Sequence, residues 1–235
     1  MRPDLVPLSR MQRLALTAAS FLFLVIATMA LGPLIAGSGW WWLCAFIAAG
    51  TLFAGLGLRA IRTPPSLVPV LELVVLLLLL TLLFGGATSF ALIVPTAGTF
   101  DTFGELFTGA QRTIEQQSVP AVAVPPLAFA LALGIGLLAV VVDTLVQTAR
   151  MPALAAAPAL VPILIPGFLI EAGAELPTLV LSAAAYLLLL RVDVRVRRRA
   201  RLVAGEEGDQ AATVIAPKRV PIGRASCRER VSECV

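Results

Sequence analysis

The chain of 235 residues is 59% hydrophobic and 14% charged, whereas a soluble domain is roughly 25% charged. This composition excludes an ordinary soluble domain and indicates a multi-pass membrane protein. The net charge of +4 does not indicate nucleic-acid binding. Histidine is absent, which excludes Cys–His or Ser–His nucleophile pairs and imidazole zinc sites. Cys44, Cys227 and Cys234 show no spacing typical of a metal site or a disulfide framework. We predict no metal, cofactor or catalytic residue in this chain.

Six apolar segments follow one another along the chain, and a bilayer core requires about 20 residues of helix. The segment after the basic residues 1–13 is longer than the roughly 7–15 residues of a signal-peptide core, so we predict an uncleaved span. The fold class predicted is an all-α membrane protein, a bundle of about six transmembrane helices over residues 14–190. The predicted spans are 14–35, 40–58, 67–84, 126–148, 153–170 and 176–190.

The arginines are distributed unevenly around these segments. With the N-terminus in the cytoplasm, the outer loops carry Arg112 alone. The inner segments then carry the other flanking arginines, including Arg59, Arg62, Arg150 and the cluster within 191–201. The positive-inside rule therefore predicts that the N-terminus and the connector 191–221 are both cytoplasmic. The second segment begins with three tryptophans, and we predict interfacial anchors at Trp40, Trp41 and Trp42.

The long loop 85–125 is predicted to lie outside the cytoplasm, between the third and fourth spans. Thr102 and Glu105 have capping-box spacing, and apolar residues recur after them at helical intervals. We predict an amphipathic helix from about Phe103 to Gln117. One interpretation places it in the outer membrane–water interface, and the other makes it a lid packed on the bundle. The helical apolar positions are Phe103, Leu106, Phe107, Ala110 and Ile114.

The fifth segment contains Pro158, Pro162 and Pro166, each of which removes a backbone hydrogen bond. Such a kinked helix either simply packs in the bundle or forms the broken helix of a transporter site. The polar connector 191–221 shows no sustained helical or strand period. Residues 222–231, "IGRASCRERV", resemble a translated sequencing-adapter oligonucleotide, so 222–235 is predicted to be an artefact rather than a natural basic tail.

Three stretches together resemble a known family. They are "VPTAGTFDTFGELFTGAQRTI" at 94–114, "LGIGLLAVVVDTLVQTARMPALAAAP" at 133–158 and the arginine-rich stretch after the sixth span. In this order they resemble the N-terminal membrane region of bacterial TgpA-type transglutaminase-like proteins, particularly the actinobacterial form. The resemblance extends over roughly residues 14–201.

The resemblance implies a bacterial inner-membrane scaffold for an extracytoplasmic transglutaminase-like domain with a Cys-His-Asp triad. That domain would follow a further span, so the chain is expected to stop before it. No catalytic residue of the family has a matching position here, and the chain as sequenced is predicted not to be an enzyme. The predicted partners are the lipid bilayer and the C-terminal domain of the same protein, with no nucleic acid. The oligomeric state stays undetermined.

Two acids lie within predicted spans, Glu72 in the third and Asp143 in the fourth. An ionisable residue in the bilayer is costly and is a functional candidate by default. The orientation places both acids near the cytoplasmic ends of their spans, at one depth. One interpretation is a structural layer of ion pairs between these acids and Arg59, Arg62 or Arg150. Arg150 follows Asp143 by seven residues, so in a regular helix it lies two turns further along on the same face. The other is a proton- or ion-coupled site in a small six-span transporter or permease.

Overall fold

The computed structural model describes residues 9–61, 63–86, 94–116, 120–169 and 176–215. Within these ranges, only the backbone is described for residues 167–169 and 200–215. Within these ranges the chain forms seven α-helices joined by short segments. The helices are α1 (Arg10–Thr28), α2 (Gly39–Ala60), α3 (Val68–Phe84), α4 (Ala97–Gln116), α5 (Pro125–Asp143), α6 (Ala156–Leu169) and α7 (Leu176–Ile215).

Shorter elements extend three of these helices. A 3₁₀ turn, Met29–Leu34, continues α1, and another, Pro152–Ala155, precedes α6. A π-helix, Thr144–Thr148, continues α5. Two strands of two residues each, β1 (Ile35–Ala36) and β2 (Ala121–Val122), pair in parallel.

Local chemistry sets where several helices begin. At α1 the Ser9 hydroxyl accepts a hydrogen bond from the Gln12 backbone N–H, at 3.3 Å. The Gln12 side chain accepts one from the Ser9 backbone N–H, at 2.8 Å, which completes a capping box. Prolines occupy the first turns of α3 and α5, where the backbone N–H has no helical partner and its loss costs little.

The helix α5 lies at the centre of the bundle. Val142 packs in a core cluster with α1, α6 and α7. Ala139 packs in a second cluster with α1 and α2, and Phe129 in a third with α2, α3 and α4. Since α5 contributes to all three clusters, its burial links the helices that surround it.

The bundle has two chemically distinct ends. At one end lie β1, β2 and the beginning of α2. At the other, which we call the arginine end, the starts of α1 and α3 meet the ends of α2 and α5, with Arg13, Arg59, Glu72 and Asp143. These charged side chains of four helices are therefore collected at one end of the bundle.

Three helical stretches are long and apolar enough to cross a membrane, namely Arg10–Leu34, Gly39–Ala60 and Pro125–Thr148. Two shorter apolar helices, Val68–Phe84 and Pro152–Pro166, accompany them. Large apolar side chains are also exposed along the helices, as a lipid-facing surface requires. The protein is therefore a helical, membrane-associated bundle, and the six-span topology stays a prediction.

Two helix boundaries differ from those expected from the sequence. The helix α4 begins at Ala97, because the Thr99 hydroxyl accepts a hydrogen bond from the Thr96 backbone N–H at 3.1 Å. Thr102 does not cap the helix, since its hydroxyl donates to the Gly98 carbonyl inside the first turns. The helix α7 continues through Ile215, although the sequence of the connector 191–221 shows no helical period. Residues 216–235, including the predicted artefact, lie outside the described residues.

Candidate functional site

The candidate site is an ion-pair cluster at the arginine end. Arg59 Nη2 lies 2.6 Å from Asp143 Oδ2, and Arg59 Nη1 lies 3.5 Å from Glu72 Oε1. Both acids are fully buried, and 11% of the Arg59 side chain is exposed. One guanidinium on α2 therefore contacts the acids of α3 and α5. We call these residues, together with Gln147 and Thr148 of the π-helix, the Arg59 cluster.

The π-helix brings Asp143 and Thr148 to the same side of the chain. The Ala149 backbone N–H donates to the Thr144 carbonyl at 2.7 Å, the five-residue step of a π-turn. Residues five apart are thereby one turn apart, whereas in an α-helix they point in different directions. Arg59 Nη2 consequently contacts Asp143 and also donates to Thr148 Oγ1 at 3.0 Å.

A glutamine connects the cluster to α1. Gln147 Nε2 donates to Asp143 Oδ1 at 2.9 Å and to Thr17 Oγ1 at 2.8 Å. Thr17 is fully buried, and hydrogen bonds of this kind compensate the cost of burying polar groups. The Asp143 carboxylate is thus held by α2 on one side and oriented toward α1 on the other.

Glycine at position 55 makes room for the Glu72 carboxyl. A Cβ at Gly55 would overlap Glu72 Oε1 and lie 3.1 Å from Arg59 Nη1. The carboxyl group therefore rests directly on the α2 backbone, one turn before Arg59. Any side chain at position 55 would displace the acid from its partner.

Two further arginines support the arginine end. Arg13 Nη1 on α1 donates to the Arg59 carbonyl at 3.0 Å, which gives a partner to a carbonyl at the end of α2. On α7, Arg197 Nε lies 2.7 Å from both carboxylate oxygens of Asp193, and Arg197 Nη2 donates to the Val146 carbonyl at 3.3 Å. The arginine side chains thus join α1, α7 and the π-helix around the cluster.

Of the predicted ion-pair residues, the structure brings Glu72, Asp143 and Arg59 together, and Arg62 lies outside the described residues. Of the alternative partners for Asp143, Arg59 contacts it, whereas Arg150 makes no ion pair among the described residues. The reason is local: the π-helix and the left-handed backbone of Arg150, with φ of 59°, break the two-turn helical register. Burial, followed by the charges of Arg197 and Arg13, lowers the pKa of Arg150 below its usual value.

The three predicted anchor tryptophans have different environments. Trp40 is buried in the core, and its Nε1 donates to the Gly37 carbonyl at 2.9 Å. Trp41 is half-buried, with Nε1 3.4 Å from the Val25 carbonyl. Trp42 is 66% exposed and is the member of the three that matches an interfacial residue.

Sequence reasoning did not identify Gln147, Thr148, Thr17, Gly55 or Arg13 as parts of the site. Gln147 follows Asp143 by four residues, a helical spacing that signals a shared face. The roles of Thr148 and Gly55 depend on the π-turn and on the approach of α3 to α2. Neither feature has a signal in the sequence alone.

The Arg59 cluster can link helices electrostatically in a medium of low dielectric constant. Breaking such a buried pair by removing one partner costs about 3–5 kcal/mol. No group of three or more metal-binding side chains occurs among the residues that the structure describes. The geometry is therefore that of an ion-paired cross-link between α2, α3 and α5.

A family model described as the TgpA N-terminal domain matches residues 22–222. The matched range begins inside α1, includes the whole Arg59 cluster and extends past the end of α7. No curated protein and no solved structure matches the chain.

Proposed function

Because the chain belongs to the TgpA N-terminal domain family, the N-terminal region of TgpA-like transglutaminase-like proteins, we propose that it is a membrane anchor and scaffold. In this proposal it holds a transglutaminase-like domain of the same protein in the cell envelope and performs no catalysis itself. The observation that carries the proposal is the family match over residues 22–222.

The architecture supports a scaffold. Its helices enclose continuous apolar clusters around α5, and the buried charges are used to join helices at one end. In the transporter alternative, Glu72 and Asp143 would have to exchange ions or protons with a pathway. Arg59 lies against both acids, which favours a permanent cross-link over a site that opens during transport.

The proposed topology places the arginine end in the cytoplasm of a bacterial cell, at the inner membrane. The positive-inside rule supports this orientation, because Arg13, Arg59, Arg150 and Arg197 all belong to that end. The helix α4 then lies outside. It packs on α5 through Phe103, whose ring centroid is 5.0 Å from that of Phe129.

Paired reporter fusions test the anchor and its orientation. We expect the chain to stay in the membrane fraction after alkaline carbonate washing. A phosphatase that is active only outside the cytoplasm should be active when inserted after Gln116 and inactive when fused after Arg199. A fluorescent protein that folds only in the cytoplasm should give the opposite pattern. Release by carbonate, or the reversed pattern, would contradict the proposal.

The scaffold role itself is tested at the locus. Independent resequencing should show a reading frame that continues past Pro221 into a further apolar span and a domain with Cys, His and Asp. A stop codon shortly after Pro221 would instead favour the transporter. Transglutaminase activity measured in membranes should require that downstream domain, and activity of the 235-residue chain alone would contradict the non-catalytic assignment.

A further inference from the structure

Two carboxyl oxygens of the Arg59 cluster lack a hydrogen-bond donor among the described residues. They are Glu72 Oε2 and Asp143 Oδ2, and both are buried. Arg59 Nη2 lies 2.6 Å from Asp143 Oδ2, but this contact does not have hydrogen-bond geometry. Buried polar atoms in native proteins almost always have a hydrogen-bond partner, so an ion-paired oxygen without a donor beside a second oxygen with no partner among the described residues needs an explanation.

The charge balance of the cluster points to the same gap. Two ionised carboxylates and one guanidinium sum to −1, and no other cation contacts the acids among the residues described. An uncompensated charge at this depth is costly. One added proton makes the cluster neutral and supplies the hydrogen-bond donor that Glu72 Oε2 and Asp143 Oδ2 lack.

Both carboxyl groups contact the same guanidinium, Glu72 through Arg59 Nη1 and Asp143 through Arg59 Nη2, so they lie close to each other. The opposite oxygen of each acid is already engaged: Glu72 Oε1 faces Arg59 Nη1, and Asp143 Oδ1 accepts from Gln147. We propose that Glu72 and Asp143 form a binding site for a single proton, carried as a Glu72 Oε2–H that donates to Asp143 Oδ2.

The surroundings retain that proton. The charged groups that face the pair are Arg59 on α2 and, behind it, Arg13 on α1, whose guanidinium contacts the Arg59 carbonyl. The π-helix contributes the neutral side chains of Gln147 and Thr148. The proton thus joins α3 directly to α5, and Arg59 binds one net negative charge instead of two.

Infrared spectroscopy of the purified chain in detergent tests this assignment. A protonated carboxyl has a C=O stretching band that a carboxylate lacks, and difference spectra between wild type and variants isolate the pair. We expect the wild type to show this band. It should disappear in Glu72→Gln and also in Asp143→Asn, because each variant leaves one acid to be ionised beside Arg59. Loss in both variants is the signature of a shared proton.

Three results would overturn the proposal. The absence of the band in wild type would show that no proton is bound, and that result needs no variant to fold. A band that persists in Asp143→Asn would show a lone neutral Glu72 instead of a shared proton. The third result combines two observations: the band is absent, and sodium chloride raises resistance to unfolding while choline chloride at equal ionic strength does not. This result would assign the site to a metal cation.

Discussion

Arg59 on α2 lies 2.6 Å from Asp143 at the end of α5, and the same nitrogen donates to Thr148 Oγ1 at 3.0 Å. Through its other nitrogen the guanidinium reaches Glu72 on α3. Arginine suits this position, because its planar fork of donors contacts several acceptors at once. A single side chain therefore fixes three helices relative to one another at the arginine end.

Replacing Arg59 by methionine should destabilise the bundle by about 3–5 kcal/mol, because two buried carboxyls lose their cation. Unfolding in mixed micelles, followed by far-ultraviolet circular dichroism, measures the loss. Arg112→Met is the matched control, since Arg112 is exposed on α4, and it should change stability by less than about 0.5 kcal/mol. A loss at position 59 of no more than about 1 kcal/mol, typical of an exposed pair, would contradict a buried cross-link.

Gly55→Ala should also destabilise the protein, by about 1–3 kcal/mol, as expected for overpacking. The new methyl group would occupy the space of Glu72 Oε1 and push the carboxyl away from Arg59. Gly57→Ala is the control on the same helix, with nothing within 4 Å of its Cβ. There alanine should be neutral or stabilising by up to about 1 kcal/mol, because it is the better helix former. Equal effects of the two substitutions would show that Glu72 does not rest on α2.

A second glycine pair tests the packing of α5 independently of charge. A Cβ at Gly136 would collide with the Leu76 side chain of α3 and lie 3.0 Å from Ile47 Cγ2 of α2. Gly136→Ala should therefore lower the midpoint of unfolding, whereas Gly134→Ala, with open space around its Cβ, should not. The same micelle titration measures both. A tolerated Gly136→Ala would mean that the three helices are not in close contact at this level.

Much of the helical framework is predictable from the sequence, because an apolar run long enough to cross a bilayer has few alternatives to a helix. The predicted segment 67–84 and α3, Val68–Phe84, differ by one residue at the start. The membrane orientation predicted from the arginines also places Glu72 and Asp143 at the same depth, and this prediction needs only the sequence. The sequence does not show that Asp143 pairs with Arg59 instead of Arg150. That pairing depends on the π-helix, whose formation depends on tertiary contacts. Trp40 shows the same limit, since its burial depends on packing between α2 and its neighbours.

The helix α4 presents two apolar rows with different surroundings. Ala110 is buried against the bundle, whereas Phe100, Phe107 and Ile114 are 55%, 57% and 61% exposed. We predict that the exposed row contacts lipid, as in an interfacial amphipathic helix. A spin label at Phe107→Cys should be relaxed mainly by dissolved oxygen, and one at Glu105→Cys by a water-soluble nickel complex. Equal relaxation by nickel at both positions would favour a lid surrounded by water.

Arg150 tests the turn that follows the π-helix. Its φ of 59° is left-handed, a conformation that costs a residue with a side chain about 1–2 kcal/mol. The turn is closed by the Met151 backbone N–H, which donates to the Leu145 carbonyl at 2.8 Å. Because Arg150 makes no ion pair among the described residues, Arg150→Gly should stabilise the protein by about 1 kcal/mol in the micelle titration.

The neighbouring substitution Met151→Gly separates backbone strain from a general effect of glycine. Met151 has φ of −117°, so glycine relieves no strain there and increases the entropy of the unfolded chain. We expect Met151→Gly to destabilise by about 0.5–1 kcal/mol, the opposite sign to Arg150→Gly. If both substitutions destabilise, the Arg150 side chain contributes more to the fold than its backbone strain removes. The left-handed turn would then be maintained by contacts of the arginine itself.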